Sequence, residues 1–235
     1  MMSLLNNNKS KLVQEVFNQV YNKYDLMNDI MSLGTHRIWK NNLISWIKPL
    51  KESCIIDVAS GTGDIAKLCS ASTNNKCKVT CVEPNEKMLS KGKNKLSHLH
   101  NINWVLSSAE DLPFSDNSFD YYVISFGIRN VTNLEKTLAE AHRVLKKGGR
   151  FFSLEFSKVE NEMLRNIYQQ YSRILPFIGK LVVGDQMPYE YLIKSIEKFY
   201  NQEDFSEKIK KNGFNNVSYR NLSNGIAAIH TGWKI

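Results

Sequence analysis

Five short apolar or β-branched runs punctuate the chain and constrain its fold more than any other feature: CIIDVAS from Cys54, KVTCVEP from Lys78, INWVLSS from Ile102, YYVISFG from Tyr121 and RFFSLEF from Arg150. The first four are each followed by a turn and, at variable distance, by a helical pattern. Strands alternating with helices predict an α/β fold, a mostly parallel sheet with helices on both faces. In NLEKTLAEAHRVLKKGG, Leu134, Leu138, Ala141, Val144 and Leu145 share one helical face, and Gly148 with Gly149 is expected to stop that helix. The closing stretch NNVSYRNLSNGIAAIHTGWKI reads as two strands joined near Ser223, Asn224 and Gly225, a C-terminal antiparallel hairpin.

At 235 residues the chain suits one large domain, expected over 11–235 after a flexible stretch 1–10. Val13, Val16, Phe17, Val20, Tyr21 and Tyr24 recur at three and four residues, so an amphipathic helical cap is expected within 11–50. A second helical block is expected at about 160–200, where Leu164, Ile167, Tyr168, Tyr171, Ile174 and Leu175 form a stripe.

Hydrophobic residues at 42% and charged residues at 23% are globular values and argue against a disordered or fibrous chain. The net charge of +8 favours an anionic partner, a nucleic acid or a phospholipid surface, without choosing between them. No apolar run is long enough to cross a bilayer, and MMSLLNNNKSKL lacks the apolar core of a secretion signal, so a cytoplasmic location is expected. Cys54, Cys69, Cys77 and Cys81 contain no C-x-x-C pair and fall largely in apolar runs, so neither a metal site nor a disulfide is expected.

In open parallel sheets ligands bind at the carboxyl ends of the strands. After the first strand, DVASGTGD places Gly61 and Gly63 where the backbone can approach a ligand closely, and Asp64 where a helix can begin. Ala66 stands where the dinucleotide fingerprint has its third glycine, so the loop alone fits a tight turn as well as a ligand cradle. Glu83 ends the second strand at the spacing from Gly63 where a carboxylate receives ribose hydroxyls. Ser108 and Ala109 follow the third strand, where they would face an adenine. A charged fork and an amide, Arg129 and Asn130, lie just past the fourth.

AEDLPFSDNSFDYYVIS followed by AHRVLKKGGRFFSLEF resembles class I S-adenosylmethionine-dependent methyltransferases, which have a Rossmann-like fold. VFNQVYNKYDLMNDIMSLGTHRIWK, DVASGTGDIA, ISFGIRNVTN, RVLKKGGRFFSLEFSK and NLSNGIAAIHTGWK narrow the resemblance to the UbiE-type C-methyltransferases of ubiquinone and menaquinone biosynthesis, in order from about Lys11 to Ile235. The resemblance implies methylation of a ring carbon in a polyprenylated quinol, a demethylmenaquinol or a 2-polyprenyl-6-methoxy-1,4-benzoquinol, with S-adenosyl-L-methionine as cofactor. It places the donor-binding positions on Thr62, Glu83, Ser108, Ala109 and Ser125, beside Gly61 and Gly63. Glu83 stands where the family often has Asp, and Ser60 where many members have glycine. The basic charge together with a lipid substrate favours transient contact with a membrane surface, the inner membrane (on the matrix side in a eukaryote), and other quinone-biosynthesis enzymes or a second copy as a homodimer are further candidate partners.

A neutral aromatic carbon is a poor nucleophile until a ring hydroxyl ortho or para to it ionises, and a phenol has a pKa near 10, about that of tyrosine. A guanidinium about 4 Å from the oxyanion would contribute on the order of 4 kcal/mol at an effective dielectric near 20. Arg129 is the candidate for that charge and Asn130 for orienting the ring or a water. Arginine stays protonated, so Asp25 and His36 are the candidate proton acceptors. Against these readings stand ordinary structural ones: Asp25 as a helix cap, His36 as a helix-surface residue and Arg129 in a salt bridge. Three rival functions share parts of the pattern: an RNA or other small-molecule methyltransferase, a non-catalytic donor-binding scaffold and a nicotinamide oxidoreductase. No basic stretch interleaved with aromatics suits stacked bases, so nucleic acid is not an expected partner.

Overall fold

A computed structural model describes the backbone of residues 2–184 and 186–235; side chains are described except at 2–8, 10, 22, 24, 25, 167, 169, 172, 173, 178, 179 and 181–183. The elements run α1 (Met2–Val20), α2 (Tyr24–Ser32), α3 (His36–Ile47), β1 (Cys54–Val58), α4 (Asp64–Ser72), β2 (Lys78–Glu83), α5 (Glu86–Lys95), β3 (Ile102–Leu106) and β4 (Phe119–Ser125). They continue α6 (Leu134–Val144), β5 (Leu145–Phe156), α7 (Glu162–Val183), α8 (Met187–Lys198), α9 (Gln202–Lys211), β6 (Asn215–Leu222) and β7 (Ala227–Trp233). The strand order is β3-β2-β1-β4-β5-β7-β6; β7 runs antiparallel to both β5 and β6, and the remaining pairs are parallel. This is a Rossmann-like sheet closed by an antiparallel hairpin. Its order reverses between β1 and β4, which places a ligand crevice at their carboxyl ends.

Neighbouring residues of the central strands feed opposite faces, because side chains alternate across a pleated sheet. Ile55, Val79, Val123 and Phe152 pack with Met27, Trp39 and Leu43 of the amino-terminal helices. Ile56, Val82, Tyr122 and Phe151 pack with Leu138, Phe205 and Ile209 on the other side. Both faces are dry, which is why these strands read as continuous apolar runs rather than alternating ones.

Four local features depart from the sequence reading. No helix follows β3: residues 107–118 cross to β4 as a loop held by Arg143, whose guanidinium donates to the carbonyls of Leu112 and Phe114 at 2.9 and 2.6 Å. Gly148 and Gly149 do not end α6, which stops at Val144; they lie within β5, where the register against β4 shifts between Phe119 and Tyr121. Between the pairs Phe119–Leu145 and Tyr121–Arg150, β5 carries three more residues than β4; Gly148 at φ 77° and Gly149, where a Cβ would come within 2.7 Å of the Lys146 carbonyl oxygen, take up that irregularity rather than cap a helix. The helix α9 is a further element that the pattern did not announce. Its residues are mostly charged, and it is held by Phe205 and Ile209, both fully buried, with Asn201 capping it by accepting from the Asp204 N–H. Finally, α1 begins at Met2, within the stretch expected to be flexible.

Gly92 lies inside α5, where an alanine would ordinarily add about 1 kcal/mol of helix propensity. A Cβ there would meet Cη2 of Trp104 at 2.2 Å and Cζ3 at 2.7 Å, and overpacking of this kind costs about 1–3 kcal/mol. Gly92→Ala is therefore expected to lower Tm by about 2–4 °C in calorimetry. An unchanged or raised Tm would show that the Trp104 ring moves aside at no cost.

Candidate active site

The chain leaves β1 by a sharp turn in which Ala59, Gly61 and Gly63 all have positive φ, at 52°, 58° and 82°. Gly63 is required on two grounds. Its conformation is left-handed, and a Cβ would lie 2.8 Å from Leu96 Cδ1 and 2.9 Å from Trp104 Cη2. Past β4, Phe126 also has positive φ, at 56°. Ala59 and Phe126 are non-glycine residues in a sparsely populated region, the kind of strain that collects where a site is shaped.

Glu83 fastens the turn. Its Oε2 accepts the Gly61 N–H at 2.8 Å and its Oε1 the Asn85 N–H at 3.0 Å. Burial pushes this carboxyl up to about 7, against those two donors. Asn85 caps α5 by accepting the Met88 N–H, and its amide donates to Gln14 and Asn18 of α1 at 2.9 and 3.0 Å. Lys9, also on α1, donates to the Val131 carbonyl at 2.5 Å. The amino-terminal helix thus lies across the carboxyl ends of the strands, held by these polar contacts and by the buried Val16 and Val20.

Under it is a cavity of about 290 Å³ whose lining includes Gly61, Glu83, Ser108, Ala109 and Asn130, with Val13 and Phe17 of α1 above. A second, smaller chamber of about 20 Å³ is lined by Thr62 and Ser125 together with Lys40, Asp57, Ser60 and Asp64. Ala59 and Phe126 belong to both walls. Asp57 is wholly buried, accepts the Ala66 N–H at 3.2 Å, and burial pushes its carboxyl up to about 8.

Of the residues singled out for catalysis, Asn130 lines the main cavity; Arg129 and His36 line neither chamber, and the side chain of Asp25 lies outside the described residues. The Arg129 guanidinium is buried in an ion pair, with Nη1 2.5 Å from Glu155 Oε1 and 2.8 Å from the Phe126 carbonyl oxygen. Its Nε donates to Ser195 of α8 at 3.3 Å. The charge expected to face an acceptor ring is thus already matched by a carboxylate. His36 is buried rather than on a helix surface, 2.8 Å from Asp29 Oδ1, and burial lowers its pKa. Asn130 Oδ1 accepts from the Tyr191 hydroxyl at 3.0 Å, while its Nδ2 is buried without a partner among the described residues.

The sequence reading passed over Asp57, Lys40, Glu155 and Tyr191. Asp57 and Glu155 each interrupt an apolar strand, CIIDV and FSLEF, and a carboxylate there was the signal that could have found them.

The sequence matches the ubiE/COQ5 methyltransferase family over residues 3–234. The chain belongs to that family. The ubiquinone/menaquinone biosynthesis C-methyltransferase UbiE of Brucella abortus strain S19 is 48% identical over 235 residues, 97% of this chain and 87% of that protein. The Brucella anthropi protein of the same name is 49% identical over 233 residues, 97% of this chain and 89% of its own length. Among solved structures, a SAM-dependent methyltransferase from Thermotoga maritima superposes with a TM-score of 0.68 at 20% identity, covering 94% of this chain and 99% of that one. A phosphoethanolamine N-methyltransferase of Haemonchus contortus, solved with S-adenosyl-L-methionine, gives 0.61 at 14% identity over 83% of this chain and 52% of that one. Both structural likenesses show the fold, a class I methyltransferase.

The chain is an S-adenosylmethionine-dependent C-methyltransferase. The residues present fit that donor. Glu83 spends one acceptor site of each oxygen on a backbone N–H, which leaves lone pairs for a ribose diol. The hydroxyl of Ser125 is buried and unpartnered among the described residues, as a polar group that meets a ligand would be. Among the described residues no His, Cys, Asp and Glu cluster could hold a metal ion, and no helix is long and apolar enough to cross a membrane.

The buried carboxyls set a pH dependence. An unfolded aspartate gives up its proton near pH 4, whereas Asp57 in the folded chain keeps its proton to about 8. Its contribution to stability is whole below about pH 4, declines as pH rises, and is gone above about 8; Glu83 acts in the same direction up to about 7. Stability of the ligand-free protein is expected to fall by a few kcal/mol, in order of magnitude, between pH 5 and 8. Asp57→Asn, which keeps an acceptor for the Ala66 N–H, is expected to flatten that slope in urea titrations. Parallel slopes in the two proteins would contradict the assignment.

Proposed function

We propose that the chain transfers a methyl group from S-adenosyl-L-methionine to a ring carbon of a polyprenylated quinol, a demethylmenaquinol or a 2-polyprenyl-6-methoxy-1,4-benzoquinol, in menaquinone or ubiquinone biosynthesis. The family and the names of its Brucella members support the substrate class. The observation that carries the site assignment is Asn130. Asn130 lines the same cavity as Glu83, Ser108 and Ala109, and the Tyr191 hydroxyl donates to its Oδ1, so its buried Nδ2, without a partner among the described residues, is the end that can donate.

The donor, when bound, supplies an electrophilic methyl on a sulfonium. The protein's part is to place the ring and favour its ionised form. Asn130 Nδ2 donates to the ring oxygen as negative charge develops there. Tyr191 fixes the amide's orientation. Arg129, neutralised by Glu155, serves as the clamp that holds the Phe126–Asn130 turn, and the proton of the ring hydroxyl passes to water rather than to His36, which lines neither chamber. The isoprenoid tail runs in the groove of about 570 Å³ between α2, α7 and α8, whose lining includes Met31, Tyr168, Pro176 and Ile193. Exposed Met163, Ile174 and Phe177 on α7, with the net charge of +8, support transient contact with an anionic membrane surface.

The test is incubation of the purified protein with labelled S-adenosylmethionine and demethylated quinones, chemically reduced or oxidised. Label is expected in the ring of the reduced compounds alone, and Asn130→Ala is expected to lower kcat by about 10²-fold. Absence of ring methylation with every quinol, or label recovered in RNA instead, would overturn the proposal.

A further inference from the structure

The small chamber beside the glycine turn holds a set of groups that the adenosine-directed part of the site does not use. Lys40, on α3 of the amino-terminal helices, is 7% exposed and reaches it from outside the sheet. Its Nζ donates to Asp64 Oδ2 at 2.8 Å; Lys95 donates to Oδ1 of the same aspartate at 2.9 Å. Against the cost of burial, the two amines hold the Asp64 carboxyl below the usual carboxylate range. Around them stand the Asp57 carboxyl and the buried hydroxyls of Ser60 and Ser125, of which that of Ser125 has no partner among the described residues.

S-adenosylmethionine has two chemically different ends. The adenosine is uncharged and suits Glu83, Ser108 and Ala109. The amino-acid end is a zwitterion, and in a low-dielectric site its carboxylate needs a cation at hand. The chamber offers a cation, Lys40, two acids, Asp57 and Asp64, and the hydroxyls of Ser60, Thr62 and Ser125, and it shares Ala59 and Phe126 with the main cavity.

We infer that Lys40 binds the carboxylate of the methyl donor's amino-acid end, so that the amino-terminal helices supply a donor-binding residue as well as a cover. An ammonium has three N–H donors, so Lys40 reaches this carboxylate with Asp64 still held. If Lys40 turns away altogether, Lys95 remains on Asp64. The inference rests on the donor site alone and is independent of the quinol.

Calorimetric titration separates this role from a merely structural one. The ligands are S-adenosylhomocysteine, its decarboxylated analogue carrying an aminopropyl thioether, and 5′-methylthioadenosine, which lacks the amino-acid end. In the native chain, loss of the carboxylate is expected to weaken binding by about 30-fold or more, as for truncation of one partner of a buried charge pair. Lys40→Met is expected to weaken S-adenosylhomocysteine by a similar factor while leaving 5′-methylthioadenosine and the decarboxylated analogue within about threefold, which also reports that the site is folded. Lys40→Arg is expected to keep the preference for the carboxylate. Equal loss for all three ligands, or undiminished S-adenosylhomocysteine binding, would overturn the inference. Should Lys40→Met fail to fold, the native comparison decides: equal affinity with and without the carboxylate sinks it.

Discussion

The ion pair between Arg129 and Glu155 is sealed almost wholly from water, at 4% and 2% side-chain exposure, and the shape of the active site depends on it. Charges so placed are costly to bury and persist only when their remaining hydrogen-bonding groups are met. Here they are met by the chain's own bends. Arg129 donates to the carbonyl of Phe126, a residue held at positive φ, and Glu155 accepts the backbone N–H groups of Arg129 and Phe156 at 3.3 and 2.9 Å. The pair thereby joins the exit of β4 to the end of β5, and through Ser195 to α8. Breaking one partner of such a pair costs about 3–5 kcal/mol.

Glu83 repeats the device on the other side of the sheet's switch point. It too is a buried carboxylate at a strand end, and it too satisfies two loop N–H groups, those of Gly61 and Asn85. Between the two acids, the turns after β1 and β4 face each other, and the two strained residues Ala59 and Phe126 become the wall shared by both hollows. The turns around the cavity are thus fastened by backbone hydrogen bonds to buried carboxyls as well as by apolar packing of residues such as Phe126 and Ala109. Its roof, α1, is attached by the longer polar side chains of Lys9 and Gln14.

What could be read from the sequence was what depends on near neighbours. The apolar runs marked β1 to β5, and the bend at Ser223, Asn224 and Gly225 marked the hairpin; Ser223 and Asn224 take the left-handed conformation with Gly225, as such a turn requires. Glu83, picked out by its spacing from the glycine turn, ends β2 and accepts the N–H of Gly61 in that turn. What could not be read depends on partners far along the chain. Arg129 and Glu155 are 26 residues apart, and Arg129 reads as a free cation until β5 is laid beside β4. Gly148 and Gly149 look like a helix stop because α6 precedes them, yet they lie inside β5, where its register against β4 shifts. The polar composition of α9 hides that Phe205 and Ile209 seat it in the core, with Gln202 hydrogen-bonded to Lys158 and Asn221.

The central claim is that Arg129 acts on the active site by clamping the turn that carries Asn130, and that its charge belongs to Glu155. A double-mutant cycle with Arg129→Gln and Glu155→Gln, read out as both Tm and kcat, tests it most directly. Each single variant leaves a buried charge unpaired and is expected to lose both stability and turnover, while the double variant, a neutral hydrogen-bonded pair, recovers most of both together. A double variant that regains its Tm but turns over as slowly as Arg129→Gln alone would contradict the claim and return the guanidinium to the chemistry.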